Sequence, residues 1–263
     1  PRMAVVYLNC AGSLAGEAHF VGNSIPVLLP IRDHNPSHSF PFVTVGLIVV
    51  NVLVYIMQVV DPRITYVYAA IPAEITGADV NPLLRMQLEM QHGIRAEPVV
   101  NPWLTILTSM FLHGSFWHIL GNMWSLWIFG NNVEDALGHF RYLLLYLFWG
   151  VVAALSHIVF NWASPIPVVG ASGAIAGVMG AYMLLFPHAR IDCVLWFVII
   201  TFVEVPAIFF LIVWFVSQFL VYNPGVAYLA HIGGFVAGFL TIKLMGGPAR
   251  ILYGRRRFYY DDW

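Results

Sequence analysis

The chain has 263 residues, of which 60% are hydrophobic and only 10% charged, and its formal net charge is −1. Soluble domains carry about a quarter charged residues, so this composition excludes an ordinary soluble enzyme; without a basic excess it also speaks against a nucleic-acid partner. The apolar residues fall in long continuous runs rather than short alternating segments, which points to membrane-spanning helices and away from a β-barrel. Cys10 and Cys193 stand at unrelated positions, so neither a disulfide framework nor a cysteine metal site is expected.

Residues 1–40 read as a loose N-terminal tail ending in Pro30-Ile-Arg32-Asp33-His-Asn-Pro36. The opening stretch is mildly apolar but broken by Asn9, Gly12 and Glu17, which reads against a cleaved signal peptide. A first span is predicted over 42–60, closed by Asp61-Pro62. About forty polar residues follow, too many for an idle connection. Within them 83–90 sets Leu and Met beside Arg85 and Glu89, as an amphipathic interfacial helix does. Further spans are predicted over 116–133, closed by Glu134-Asp135, over 142–162, and over 171–186. Residues 192–222 are too long for one span and carry Glu204 and Pro206 in the middle. The fifth span therefore goes to 207–221, with 193–205 as a re-entrant or interfacial piece. The sixth is 226–245, and 247–263 form a basic tail with Arg250, Arg255, Arg256 and Arg257.

The fold class is thus all-α: a polytopic bundle of six transmembrane helices over 41–246. Six spans put both termini on one side, together with Arg2, Arg32, Arg141, Arg190, Lys243 and the basic tail. The positive-inside rule makes that side cytoplasmic. Spans two, four and six then all begin on the outer side. His118 and Asn122 in span two, Ser172 at the start of span four and His231 near the start of span six share the outer half of the bilayer.

Polar side chains at membrane depth are costly and turn toward the protein interior. Gly173-x3-Gly177 on span four and Gly234-x3-Gly238 on span six are small-residue pairs that let helix backbones approach closely. His231 shares the face of Gly234, so packing of these spans would bring its imidazole to the Ser172 hydroxyl. An imidazole base activates a serine for attack on a carbonyl and then protonates the leaving amine. His118, Asn122 and the Ser172 backbone amide are the expected oxyanion donors, helped by the helix N-terminus. No carboxylate stands at a matching depth, so a Ser–His dyad is expected rather than a triad. Span four is too short to cross the whole hydrocarbon core, so Ser172 would sit on the floor of a water-filled cavity. His113, His118 and His231 show no metal-ligand spacing, and neither a metal nor a cofactor is expected.

These motifs together resemble the rhomboid family of intramembrane serine proteases. The matching pieces are His118-x3-Asn122-Met123, Gly170-Ala-Ser172-Gly173 and Ala230-His231-x2-Gly234-x3-Gly238, with Ser-Met-Phe-Leu-His113-Gly-Ser-Phe-Trp-His118 at the entry to span two. The Arg32-Asp33 segment is similar to the start of bacterial members. The resemblance implies Ser172 as nucleophile, His231 as general base, and His118 and Asn122 as oxyanion donors. It implies single-span membrane proteins as substrates, cut in or near their transmembrane segments, and residence in a bacterial inner membrane. Two positions depart from the family pattern. Leu104 follows Trp103 where an arginine is common, leaving Trp103 alone to anchor the first loop. Ala176 stands where an aromatic ring often stacks on the histidine, so His231 needs another support. Glu134 and Arg141 flank the loop between spans two and three and are placed to pair across it or be solvated. A non-catalytic, client-binding rhomboid-like protein is the main alternative; a transporter is disfavoured by the lack of an internal repeat.

Overall fold

The computed structural model describes residues 27–79, 100–196, 200–220 and 225–252. The expected interfacial helix at 83–90 and the arginines at 255–257 lie outside the described residues. The chain is mostly helical: α1 (Phe42–Val60), α2 (Arg63–Tyr68), α3 (Pro72–Thr76), α4 (Pro102–Thr108), α5 (Phe116–Leu137), α6 (His139–Phe160), α7 (Ser172–Leu185), α8 (Ala207–Leu220) and α9 (Tyr228–Leu244). Helices α1 and α6 are long and apolar enough to cross a membrane; α4 with the 3-10 turn Ser109–Phe111, α7, α8 and α9 are shorter apolar helices. On α1 the residues Val50, Leu53, Ile56, Met57, Val59 and Val60 are exposed, an apolar outer face suited to lipid rather than water.

The all-α expectation needs correction. Three strands, β1 (Val27–Asp33), β2 (Arg190–Trp196) and β3 (Ile200–Pro206), form an antiparallel sheet in the order β1-β2-β3. The segment after α7 is therefore a hairpin joined by a strand from the supposedly loose tail, with Val27 opposite Trp196 and Asp33 opposite Ile191. Strand β3 is rich in β-branched residues, and β2 alternates, with Ile191 and Cys193 buried while Asp192 turns out to Arg32 and His34.

Helix α7 is the centre of the bundle, and 11 of its 14 residues are buried. It runs parallel to α9, with Gly173 against Gly234 and then Gly177 against Gly238. A β-carbon on Gly234 would collide with the Gly173 carbonyl oxygen, and one on Gly238 with that of Gly177. Here the backbones themselves are in contact, so only glycine fits. On the other flank α6 closes in with Ala153 on Gly173 and Trp149 on Gly177.

Helix α5 continues past the expected end at 133 through Glu134 and Asp135 to Leu137. Those carboxylates do not close the helix against solvent; they hold the start of the chain. Glu134 is fully buried. Its oxygens accept from the Val43 amide at 2.8 Å, from the Thr44 amide and hydroxyl at 2.7 Å each, and pair with His139 Nδ1 at 2.6 Å. It thus satisfies the open N-terminal amides of α1, whose own N-cap residue is Pro41. The pairing with Arg141 considered from sequence is replaced by this one, and Arg141 is exposed. Asp135 accepts from the amides of His38 and Ser39. Asp33, at the end of β1, accepts from Asn132 at 2.6 Å and from the Tyr182 hydroxyl at 2.7 Å, tying the sheet to α5 and α7. Burial pushes the Asp33 carboxyl above the usual carboxylate range.

Three outcomes follow for stability. Gly238→Ala must part α7 and α9 and should cost roughly 3 kcal/mol, the upper end of overpacking effects. Gly46→Ala, on a part of α1 with nothing within 4 Å of the added carbon, should be neutral or slightly stabilising in the same thermal melt in detergent. Glu134→Gln turns one acceptor into a donor facing donors, and should lower stability by about 2 kcal/mol, in the range of hydrogen bonds to charged groups.

Candidate active site

The segment between α1 and α5 is bonded to the turn that precedes Ser172. Ala70 and Val168 exchange backbone hydrogen bonds at 3.2 and 2.8 Å, and the Thr76 hydroxyl donates to the Trp162 carbonyl at 2.7 Å. The Thr108 hydroxyl fastens α4 to the Tyr68 carbonyl at 2.8 Å. Trp103 is exposed, while Thr105 and Ile106 of the same helix are buried. The Gly170 amide donates to the Ser109 carbonyl at 2.9 Å. These bonds fix the short segment 168–171 that delivers Ser172 as the first residue of α7.

Gly170 has φ +129, a conformation that L side chains rarely adopt. A β-carbon there would lie 2.8 Å from both Cε1 and Nε2 of His118 and 3.6 Å from Ser172 Oγ. The His118 imidazole and the Ser172 hydroxyl therefore border the same small space, kept open by the missing side chain. At the other end of the imidazole the Gly114 amide donates to His118 Nδ1 at 3.4 Å. A nitrogen that accepts carries no proton, so in the neutral ring Nε2 is the N–H, directed to the Ser172 side.

The serine hydroxyl is bonded to His231. Ser172 Oγ and His231 Nε2 are 2.8 Å apart, across 59 positions of sequence. His231 lies in the first turn of α9, level with Ser172 because α7 and α9 run parallel in the glycine register. Its other nitrogen, Nδ1, is 2.8 Å from Oε1 of Gln218 on α8. The Trp214 ring, also on α8, lies 5.9 Å from the imidazole between centroids, and Tyr228 lies 6.4 Å away, edge on. Helix α8 thus supplies the support that Ala176 does not. Gln218 escaped the sequence reading. The available signal was a Ser217-Gln218 pair in an otherwise wholly apolar helix, a costly place for an amide unless it has a partner.

Asn122, one turn beyond His118, is fully buried, and neither atom of its amide has a hydrogen-bond partner. The ring of His113, also buried, meets that of His118 edge on at 5.1 Å. Buried polar groups are nearly always satisfied, so an Asn122 amide without a partner among the described residues, one turn from the His118 that borders Ser172, marks a place for water or a substrate's polar atoms. Chemically the arrangement can take a proton from a hydroxyl and present N–H groups to a developing negative charge.

One other cluster has metal-ligand chemistry. Ligand atoms of His34, Asp192 and Glu204 lie within 4.8 Å of one another. Arg32 already pairs with Asp192, and Arg190 with Glu204, each at 3.0 Å. The cluster sits beyond the far end of α7 from Ser172, roughly 20 Å along the helix axis, and takes no part in this site.

Comparison with known proteins converges on one family. Residues 100–248 match the family model of the Rhomboid domain. Rhomboid protease GluP of Bacillus subtilis (strain 168) is 29% identical over 203 residues, 74% of this chain and 37% of that protein. The mitochondrial Rhomboid protein 1 of Saccharomyces cerevisiae is 36% identical over 92 residues, 34% of this chain and 27% of the yeast protein. RHOMBOID-like protein 1 of Arabidopsis thaliana is 32% identical over 167 residues, 61% and 40% of the two lengths. The chain spans well under two thirds of each of these relatives. The family match covers more than half of the chain, from the helix preceding His113 to the turn after α9, and the chain belongs to the rhomboid family of integral membrane proteins.

Proposed function

We propose that this chain is an intramembrane serine endopeptidase that cleaves single-span membrane proteins in or near their transmembrane segments. The observation that carries the reading is the 2.8 Å hydrogen bond between Ser172 Oγ and His231 Nε2. A client-binding protein has no use for an activated hydroxyl beside unpartnered donors.

In this mechanism Ser172 Oγ attacks the scissile carbonyl carbon while its proton passes to His231 Nε2. The carbonyl oxygen becomes an oxyanion, met by His118 Nε2–H, the Asn122 amide and the open backbone amide of Ser172. When the intermediate collapses, the C–N bond breaks and His231 returns its proton to the leaving amine. Water, deprotonated by His231, then attacks the acyl-enzyme ester, and Ser172 recovers its proton.

Six spans serve this chemistry: α1, α5, α6, α7, α8 and α9, as a membrane unit over 41–246 with both termini cytoplasmic, in a bacterial plasma membrane. Helix α7 has 14 residues, a length of roughly 21 Å against a hydrocarbon core of about 30 Å. Its N-terminus therefore stops below the outer surface, where water can reach Ser172 through a cavity. Substrates enter from the lipid bilayer, and no metal, cofactor or nucleic acid takes part.

Purified wild type in detergent should cut a model single-span substrate, and Ser172→Ala should not; cleavage that survives in the variant overturns the assignment. Asn122→Ala should lower kcat by roughly 10²–10³, as removal of one oxyanion donor does, with little change in KM. The base works only when neutral, so kcat/KM should fall as pH drops below neutrality. A rate that rises as pH drops speaks against His231 as the base.

A further inference from the structure

We infer that Gln218 is a positioning residue: its side-chain amide holds His231 in the one tautomer and orientation that can accept the Ser172 proton. The inference rests on the reading of Ser172 and His231 as nucleophile and base. The amide orientation follows from its neighbours. Gln218 Nε2 lies 3.1 Å from the Trp214 carbonyl oxygen, which can only accept, so this end of the amide is the NH₂. The same nitrogen is 3.1 Å from the Ser217 hydroxyl, which itself donates to the Trp214 carbonyl at 2.6 Å and so has a lone pair to offer. Oε1 must then be the atom facing His231 Nδ1. A carbonyl oxygen only accepts, so Nδ1 carries the proton, and Nε2 keeps its lone pair for the Ser172 hydroxyl 2.8 Å away.

The relay is built on one helix. Trp214 and Gln218 are four residues apart on α8, so they share a face, and both are buried against α9. The opposite face, with Phe209, Ile212, Val216, Phe219 and Leu220, is exposed and apolar. A displacement of α8 from the bundle would withdraw Oε1 and the Trp214 ring together and free the imidazole to rotate. Among the described residues, the ionisable groups close enough to act on His231 are His118 on α5, His157 on α6 and Tyr228 on α9 itself. None of them is a carboxylate, and α7 and α8 present to it only the uncharged Ser172, Trp214 and Gln218.

Two measurements on the full chain test this. The first is the ¹⁵N spectrum of histidine-labelled protein in detergent, with His231 assigned by its loss in His231→Ala. Wild type should show a protonated Nδ1 and a bare Nε2, and Gln218→Leu should show mixed tautomers. The second is kinetics. Gln218→Leu should lower kcat at least about tenfold with KM nearly unchanged, part of the roughly 10²–10⁴ that a positioned base supplies. Gln218→Glu keeps the acceptor and adds a charge that favours the imidazolium, so the acid limb of the kcat profile should move up by about 1 to 3 pH units. Being isosteric, this variant carries the test if the leucine variant does not fold. An unchanged His231 tautomer with unchanged kcat in Gln218→Leu overturns the inference. So does an unmoved pH profile in Gln218→Glu accompanied only by a lower melting temperature. If wild type shows no Ser172-dependent cleavage, the protease reading fails, while the ¹⁵N spectra still decide whether Gln218 fixes the imidazole.

Discussion

The close approach of two helix backbones at Gly173–Gly234 and Gly177–Gly238 is the constraint on which the rest depends. In a lipid environment the hydrophobic effect does not drive helices together, and packing and polar contacts must do so. Glycine permits both here. With no side chain in the interface, α7 and α9 lie close enough for a hydroxyl and an imidazole on their first turns to meet at 2.8 Å. An extra carbon at Gly238, at the second contact along the register, would part the helices along their length. On the proposed function, activity and stability are coupled through the same few atoms, and a variant that merely loosens this seam would lose cleavage without touching Ser172 or His231.

The second organising feature lies at the far end of the bundle, where carboxylates replace apolar packing. Glu134, Asp135 and Asp33 each accept from two or more donors of a different segment, so each acts as a fastener. Fully buried and given four partners, Glu134 has the geometry in which a buried charge is tolerable. The polar work of the fold is thus divided. One end uses satisfied carboxylates to hold α1 and β1 in place, and the other leaves neutral donors open around Ser172.

What could be read from the sequence follows the same division. Helix positions were legible because hydropathy reports length and depth directly, and α1 coincides with its predicted range. Ser172, His118, Asn122 and His231 stood out because a polar group in an apolar span requires a reason. The sheet was not legible. Its alternation of Ile191, Asp192 and Cys193 is masked by a generally apolar stretch, and the strand that completes it begins 163 positions earlier, at Val27 opposite β2 from Arg190. Glu134 was misplaced because a charge at a helix end ordinarily signals water, and only the fold reveals α1's open amides above it. Gln218 was not legible because an uncharged amide in an apolar helix gives no sign in the sequence of which side chain it meets.

In soluble serine hydrolases an aspartate orients the histidine and stabilises its charged form. A bare carboxylate behind His231 would have to remain ionised within the bilayer's thickness, at a desolvation cost of several kcal/mol. An amide avoids that cost and can still orient the ring. The difficulty with an amide is that it presents either end, and the NH₂ end would impose the wrong tautomer. Here the Trp214 carbonyl and the Ser217 hydroxyl take up the NH₂ end, which leaves only the oxygen for Nδ1. The three residues act as a unit in which Trp214 and Ser217 set the amide, the amide sets the imidazole, and the imidazole meets the serine. On the proposed function, the arrangement gives a base of defined tautomer without any fixed charge, and stabilises the imidazolium less once the proton has moved. The burden of offsetting charge in the proposed transition state would then shift to His118 and Asn122.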